Sequence, residues 1–333
     1  MHMADALIVP SVAATMYVAS TGAAAFSVNK VKLENEVKKI PVMGVMSAFV
    51  FATQMINFTI PGTGSSGHLC GGLLLSIMLG PYAGFLSMIS VLVIQSLIFA
   101  DGGILALGCN IWNMAFYACF IGYLFIYRPL TRRKMNNRTI IFASVLGSVI
   151  SLQLGAFSVT LQTLISGITS LSFGQFVAMM QPIHLAIGAV EGLITAAVII
   201  FVKNTRPELL HIEAGKNRVG FKQVIAILAV MVALIGGGLS LVASGNPDGL
   251  EWSIEKVTGS TEVEPHSQNA KAVEGAAQIQ EKTAFLPDYG FQGSESNFGT
   301  TFSGVFGSII VAAVSIGCFV LVRMFQKKEK AST

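Results

Sequence analysis

The chain has 333 residues, 53% of them hydrophobic and only 11% charged, with a formal net charge of +4 and a mean hydropathy of +0.69. That balance excludes an ordinary soluble globular domain. Apolar stretches near the ~20 residues needed to cross a hydrocarbon core recur along the sequence, which reads as an all-α polytopic membrane protein.

Met1-His2-Met3 stands almost directly ahead of the first apolar run. A free terminal amine, the His2 amide nitrogen and His2 Nδ1 can close fused chelate rings around one divalent ion, leaving an in-plane position for a second imidazole. Nitrogen-only planar coordination suits nickel or copper-like ions. Because His2 is large, the initiator methionine is expected to be retained, which preserves the chelate. No Lys or Arg precedes Lys30, so a cleaved leader is not expected and the first segment should stay attached.

Hydropathy and punctuation predict about nine transmembrane helices, at about 5–27, 41–58, 68–80, 82–100, 104–127, 139–164, 176–202, 223–243 and 304–323. In the first, Ser11, Thr15, Ala19 and Ala23 recur every four residues, a small-residue stripe that could mark docking to a partner or, the preferred reading, packing within the chain. The third segment is short, and a tilted or broken helix is expected there. Between the second and third lies Gly62-Thr63-Gly64-Ser65-Ser66-Gly67-His68. Its glycines match a nucleotide-binding pattern, but a membrane segment precedes them and the next acidic residue is Asp101, so they are read as a tight loop that delivers His68.

With the N-terminus outside and the C-terminus inside, 18 of the 21 basic residues face the cytoplasm, leaving only Lys256, Lys271 and Lys282 outside. These include Lys30, Lys32, Lys38 and Lys39, a group from Arg128 to Arg138, one from Lys203 to Lys222 that includes Lys216 and Arg218, and the C-terminal set from Arg323 to Lys330. Short-loop charge of this kind answers to the lipid bilayer, so no nucleic-acid partner is implied. Both the N-terminus and the His68 loop then fall on the outer side, where Met1, His2 and His68 could share a metal.

Within the later spans, His184 and Glu191 are seven residues apart and share one helix face, where they could form a relay or a paired contact; a structural role, or coupling to a partner, is read ahead of metal ligation. Asn57, Asn110, Asn113 and Asp101-Gly102-Gly103 are read as helix breaks and hydrogen-bonding posts rather than ligands. Cys70, Cys109, Cys119 and Cys318 lack C-x-x-C spacing and are read as packing residues. The segment 244–303 holds 9 of the 17 acidic residues, and its middle is expected to be mobile. The domain reading is 1–203, a cytoplasmic connector at 204–222, and 223–333 with the extracytoplasmic loop 244–303. Of the five histidines, His211 and His266 belong to no recognisable motif. There is no P-loop, H-E-x-x-H or G-x-S-x-G, so energy from ATP would come from another chain.

Met1-His2-Met3-Ala4-Asp5-Ala6, the stretch Gly62 through Gly72, Ala100-Asp101-Gly102-Gly103 with Ala106 through Met114, and His184 through Gly192 resemble the CbiM/NikM substrate-binding components of energy-coupling factor transporters for cobalt and nickel. Asn246-Pro247-Asp248-Gly249-Leu250-Glu251-Trp252 is similar to the PDGLE signature of the small N component. Met3 and Cys109 depart from residues common in the family. The resemblance implies a seven-helix M component fused to a two-helix N component, with metal held by the Met1 amine, the His2 amide and imidazole, and His68. It also implies a transmembrane T component (CbiQ/NikQ-like), cytoplasmic ATPases (CbiO/NikO-like) and the inner membrane of a prokaryotic cell. Nickel is the expected transported ion, with cobalt next, and no resident cofactor is expected.

Two other readings compete. An ion-coupled secondary metal transporter would use His184, Glu191 and Asp101 as a proton path. A membrane metalloenzyme would need a water on the metal, for which a filled planar four-nitrogen site leaves no equatorial room. The expectation is a transporter subunit, not an enzyme.

Overall fold

Nine helices take the places of the nine predicted segments, at unequal lengths, in a computed structural model that describes residues 1–31, 39–210, 220–265, 269–293 and 296–332. Lys32, Lys38, Lys216, Arg218, His211 and His266 lie outside the described residues. Pro10 opens α1 (Pro10–Lys30), where a residue lacking N–H costs no helical bond. The first helix therefore starts five residues later than its hydropathy suggests. Residues 1–9 run instead as a non-helical strand of chain outside any sheet, with one tight turn at Asp5–Leu7.

After α2 (Lys39–Gln54) comes a small antiparallel hairpin, β1 (Phe58–Ile60) and β2 (Ser65–Gly67), with Thr59 opposite Ser66. Then follow α3 (Gly72–Leu79), α4 (Pro81–Ile98), α5 (Leu107–Thr131), α6 (Asn137–Ile165), α7 (Phe173–Thr205) and α8 (Phe221–Gly237). Two amphipathic helices, α9 (Gly249–Thr258) and α10 (Ala270–Thr283), precede the long α11 (Asn297–Ser332). Seven of the nine membrane-segment helices are long and apolar enough to cross a membrane. The apolar part of α2, Ile40–Gln54, is shorter. At eight residues, α3 rises only ~12 Å.

The shortness of α3 has a local cause. Gly71 and Gly80 bound it with φ of +81° and +85°, and Pro81 starts the next helix. The leg still reaches deep, because Tyr82 packs edge-on against Phe26 near the far end of α1, with ring centroids 5.8 Å apart. The paired legs α3 and α4 thus carry both of their outer loops to the N-terminal face.

In α1 the packed face is Ala13, Ser20 and Ser27, every seventh residue. Ser11 and Thr15 are exposed, so the predicted small-residue stripe is not the packing face. Ser20 instead donates to the Gly108 carbonyl at 2.7 Å. Cys70, Cys109 and Cys119 are buried as expected, whereas Cys318 is exposed. The helices α8 and α11 lie together against α2, where Gly44 faces Ile316 and Gly236 faces Gly304.

Among the described residues, the polar segment before α11 forms the helices α9 and α10, which make specific contacts. In α9, Leu250 and Ile254 are buried. In α10, Gln280 Nε2 donates to the carbonyls of Ser96 and Gly102 at 2.8 and 2.9 Å. Just before α10, Asn269 donates to the Ile8 carbonyl at 2.8 Å. These helices cover the N-terminal strand, which brings residues about 250 positions apart to one site.

Candidate metal centre

The N-terminal strand is held by its main chain. Met3 N–H donates to Asn110 Oδ1 at 2.7 Å, Asn110 Nδ2 donates back to the Met3 carbonyl at 3.2 Å, and that carbonyl also accepts from Gly103 N–H at 2.9 Å. Asp5 accepts from Ala106 N–H at 2.8 Å. A side chain at Gly103 would collide with the Asp5 carboxylate, so glycine is required where the two segments touch. Met3 is fully buried, contributing about 1.5–3 kcal/mol. That is comparable to the cost of fixing one or two residues, about 1–2 kcal/mol each, so the hydrogen bonds are needed to seat the strand.

This seating places the chain start against the hairpin loop. The Met1 amine lies 3.1 Å from His68 Nε2 and 2.6 Å from Asp248 Oδ2. His68 Nδ1 donates to the Leu69 carbonyl at 3.0 Å, which puts the ring proton on Nδ1 and leaves the Nε2 lone pair facing the amine. No described group accepts from the His2 amide N–H, while the next amide along is taken by Asn110. The His2 ring stacks on that of His68, centroids 5.2 Å apart at 18°. Its Nδ1 is 3.1 Å from Asp101 Oδ1 and its Nε2 is 3.3 Å from Gln95 Oε1. Closing a chelate through His2 Nδ1 therefore requires that nitrogen to exchange Asp101 for the ion. Among the described residues no three His, Cys, Asp or Glu side chains converge as metal ligands. The candidate donors here are two main-chain and two imidazole nitrogens.

Asp248 caps α9, accepting from Leu250 and Glu251 N–H at 2.8 and 2.9 Å, while Glu251 accepts from the Asp248 N–H at 3.0 Å. Burial pushes its carboxyl up, but the ammonium and His68 outweigh that and hold it well below the usual carboxylate range. Burial, reinforced by the ammonium, lowers His2 to about 3 and His68 to about 4. Both imidazoles are consequently neutral at pH 7, as metal ligands must be. Burial raises Asp101, whose Oδ2 accepts from the Tyr289 hydroxyl at 2.5 Å.

Three groups escaped the sequence reading. Gln95, Gln54 and Tyr289 form a chain in which Gln95 Nε2 donates to Gln54 Oε1 at 2.8 Å and lies 3.2 Å from the Tyr289 hydroxyl. Two glutamines inside apolar segments were the available signal. Conversely, His184 and Glu191 have separate partners. Glu191 accepts from Cys70 and Gly71 N–H at 2.8 and 3.1 Å, capping a helix whose Gly71 has no side chain to do so. His184 Nδ1 bonds the Met180 carbonyl at 2.8 Å. The site opens onto a cavity of about 600 Å³ walled by His2, His68, Asp101, Asp248, Glu251 and Tyr289, among others.

If the Met1–Asp248 pair seats the strand, Asp248→Asn in metal-free protein should speed hydrogen exchange of the Met3 amide by at least about tenfold, since the pair is part-buried and breaking it costs a good fraction of the roughly 3–5 kcal/mol of a fully buried one. An unchanged exchange rate would assign the seating to Asn110 and Met3 alone.

Residues 2–209 match the family described as cobalt uptake substrate-specific transmembrane region, CbiM, and residues 222–324 match the PDGLE domain. A protein of Archaeoglobus fulgidus, provisionally named fused nickel transport protein NikMN, is 33% identical over 94% of this chain and 96% of its own length. The fused nickel transport protein NikMN of Rhodobacter capsulatus is 28% identical over 78% of this chain and 77% of its own. The cobalt transport protein CbiM of Geobacter sulfurreducens is 26% identical over 68% and 67%. A crystal structure of a truncated transition metal transporter matches with a TM-score of 0.54 at 31% identity, covering 61% of this chain and 99% of that one.

Proposed function

The chain belongs to the family of cobalt uptake substrate-specific transmembrane regions, and from that premise we propose that it captures a divalent transition-metal ion, nickel foremost and cobalt next, for uptake across a prokaryotic cell membrane. The fused arrangement favours nickel, as it is shared with relatives named for nickel transport. Residues 1–203 form the metal-binding component, 204–222 a cytoplasmic connector and 223–333 the PDGLE component. The N-terminus is outside, following the basic residues. A transmembrane T component and cytoplasmic ATPases supply the energy, because the sequence carries no nucleotide-binding motif.

One observation carries this reading: the terminal amine and His68 Nε2 are 3.1 Å apart, beside an amide with no acceptor among the described residues. The ion is held by the Met1 amine, the His2 amide nitrogen, His2 Nδ1 and His68 Nε2. Binding replaces an ammonium by a divalent ion plus an ionised amide. The charge next to Asp248 is +1 before and after, so its carboxylate serves as counterion to both states. Nickel and copper-like ions drive amide ionisation, whereas oxygen-seeking magnesium and calcium do not, which makes the site selective.

The test is nickel stoichiometry by equilibrium dialysis on the full chain with its native N-terminus, under cobalt competition. One tight equivalent is expected, and none would contradict the reading. The proton count is a second expected outcome. Above about pH 5 both imidazoles are already neutral, so the protons an ion displaces are those of the ammonium paired with Asp248 and of the amide. Affinity should fall as pH falls. Titration in weak buffer that releases no proton would rule out amide ligation.

A further inference from the structure

Next to the amine lies a second, much smaller cavity of about 10 Å³, room for one water or one small ion. Met1, His68, Cys70, Met114, His184 and Asp248 are among its walls. His68 and Asp248 also line the large outer cavity. They therefore form the partition between an outer chamber and an inner one.

His184 stands on the inner side, only 1% exposed. Its Nδ1 is 2.8 Å from the Met180 carbonyl. A carbonyl can only accept, so Nδ1 carries the ring proton and Nε2 keeps its lone pair. That Nε2 is fully buried and has no hydrogen-bond partner among the described residues. Buried polar atoms are nearly always paired, so an unpartnered one beside a cavity asks for an explanation. Burial of a neutral imidazole whose second nitrogen is fixed by a carbonyl is the usual outer-shell arrangement of a metal-binding histidine.

We propose that His184 Nε2 is a second, interior ligand for the transported divalent ion, receiving it from the amine–His68 position. The inference rests on the four-nitrogen reading above. Transfer needs no proton from His184, whose Nε2 is already free. The amine and the His2 amide regain their two protons as the ion leaves them. Imidazole beside cysteine and methionine suits a borderline-soft ion and serves magnesium or calcium poorly. The PDGLE glycine completes the chamber: a Cβ at Gly249 would meet His184 Cε1 at 3.1 Å and Ile187 Cδ1 at 2.9 Å. Met1 and His68 border the inner cavity, and two divalent ions repel strongly at such range. The interior station is therefore expected to fill only when the outer one is empty or disabled.

The experiment is nickel(II) binding, by equilibrium dialysis, to full-length His68→Ala, His184→Ala, His68→Ala/His184→Ala and His68→Ala/His184→Gln, each with a native N-terminus. Glutamine retains bulk at position 184, and thermal unfolding checks that each variant is folded. His184→Ala alone should keep one tight equivalent. His68→Ala should keep only a weaker site, and both double variants should weaken that residual binding by tenfold or more. Equal residual binding with and without His184, or no residual binding at all in His68→Ala, would overturn the interior station. Wild-type affinity in His68→Ala would instead defeat the four-nitrogen reading, and equal binding by the double variants would still overturn the station.

Discussion

Full-length His68→Ala is expected to lose tight nickel and cobalt binding, a larger effect than the roughly 10–100-fold typical of changing an outer-shell partner. Of the four nitrogens proposed to hold the ion at the chain start, this imidazole alone lies outside the first two residues, and its Nε2 is 3.1 Å from the amine. The protein should remain folded. The lost ring is neutral, lowered to about 4 by burial and the nearby ammonium, so no buried charge is orphaned, and Asp248 keeps its ammonium partner at 2.6 Å. Dialysis with thermal unfolding measures both halves. Retained stoichiometry at unchanged affinity would remove His68 from the site.

Insertion of an alanine between Met1 and His2 is expected to be as damaging as loss of His68. It leaves every side chain of the native sequence in place. What changes is the number of atoms between the terminal amine and His2 Nδ1, and with it the ring sizes that fix a planar chelate. The amine would also be displaced from Asp248, and the extra residue would have to fit between a buried Met3 and the α9 cap. Binding equal to wild type would mean that the terminal amine is not a ligand. A mutational scan restricted to side chains would miss this dependence altogether.

Much of this arrangement was legible because membrane insertion writes itself into composition. Long apolar runs mark α4 to α7, and a polar start next to an apolar run marks Met1 and His2 as a unit. The juxtaposition with His68 followed from charge bias, which assigns both segments to one face. The particular partners were not legible. Asp248 reaches the amine across 247 residues, and nothing in the local pattern of a capping box signals that its carboxylate has a second task. The helices at 249–258 and 270–283 were hidden for a related reason: α9 and α10 are polar, and their few buried apolar residues, Leu250, Ile254 and Ala276, belong to helices that pack on partners distant in sequence, α9 on α7 and β2, α10 on α4 and the Asp5–Leu7 turn. In α1 the small-residue spacing pointed to the wrong face, because the contact was set by Gly108 approaching the Tyr17 main chain, not by α1 itself. The length of α3 was decided by two left-handed glycines rather than by hydropathy.

The central claim is that a peptide's own start grips the ion. Nickel K-edge X-ray absorption on the full chain, purified with an unmodified Met1 and loaded with one equivalent, tests it most directly. A four-coordinate planar nitrogen shell containing two imidazoles is the predicted result. A six-coordinate shell rich in oxygen, or a spectrum unchanged in His2→Ala, would contradict it.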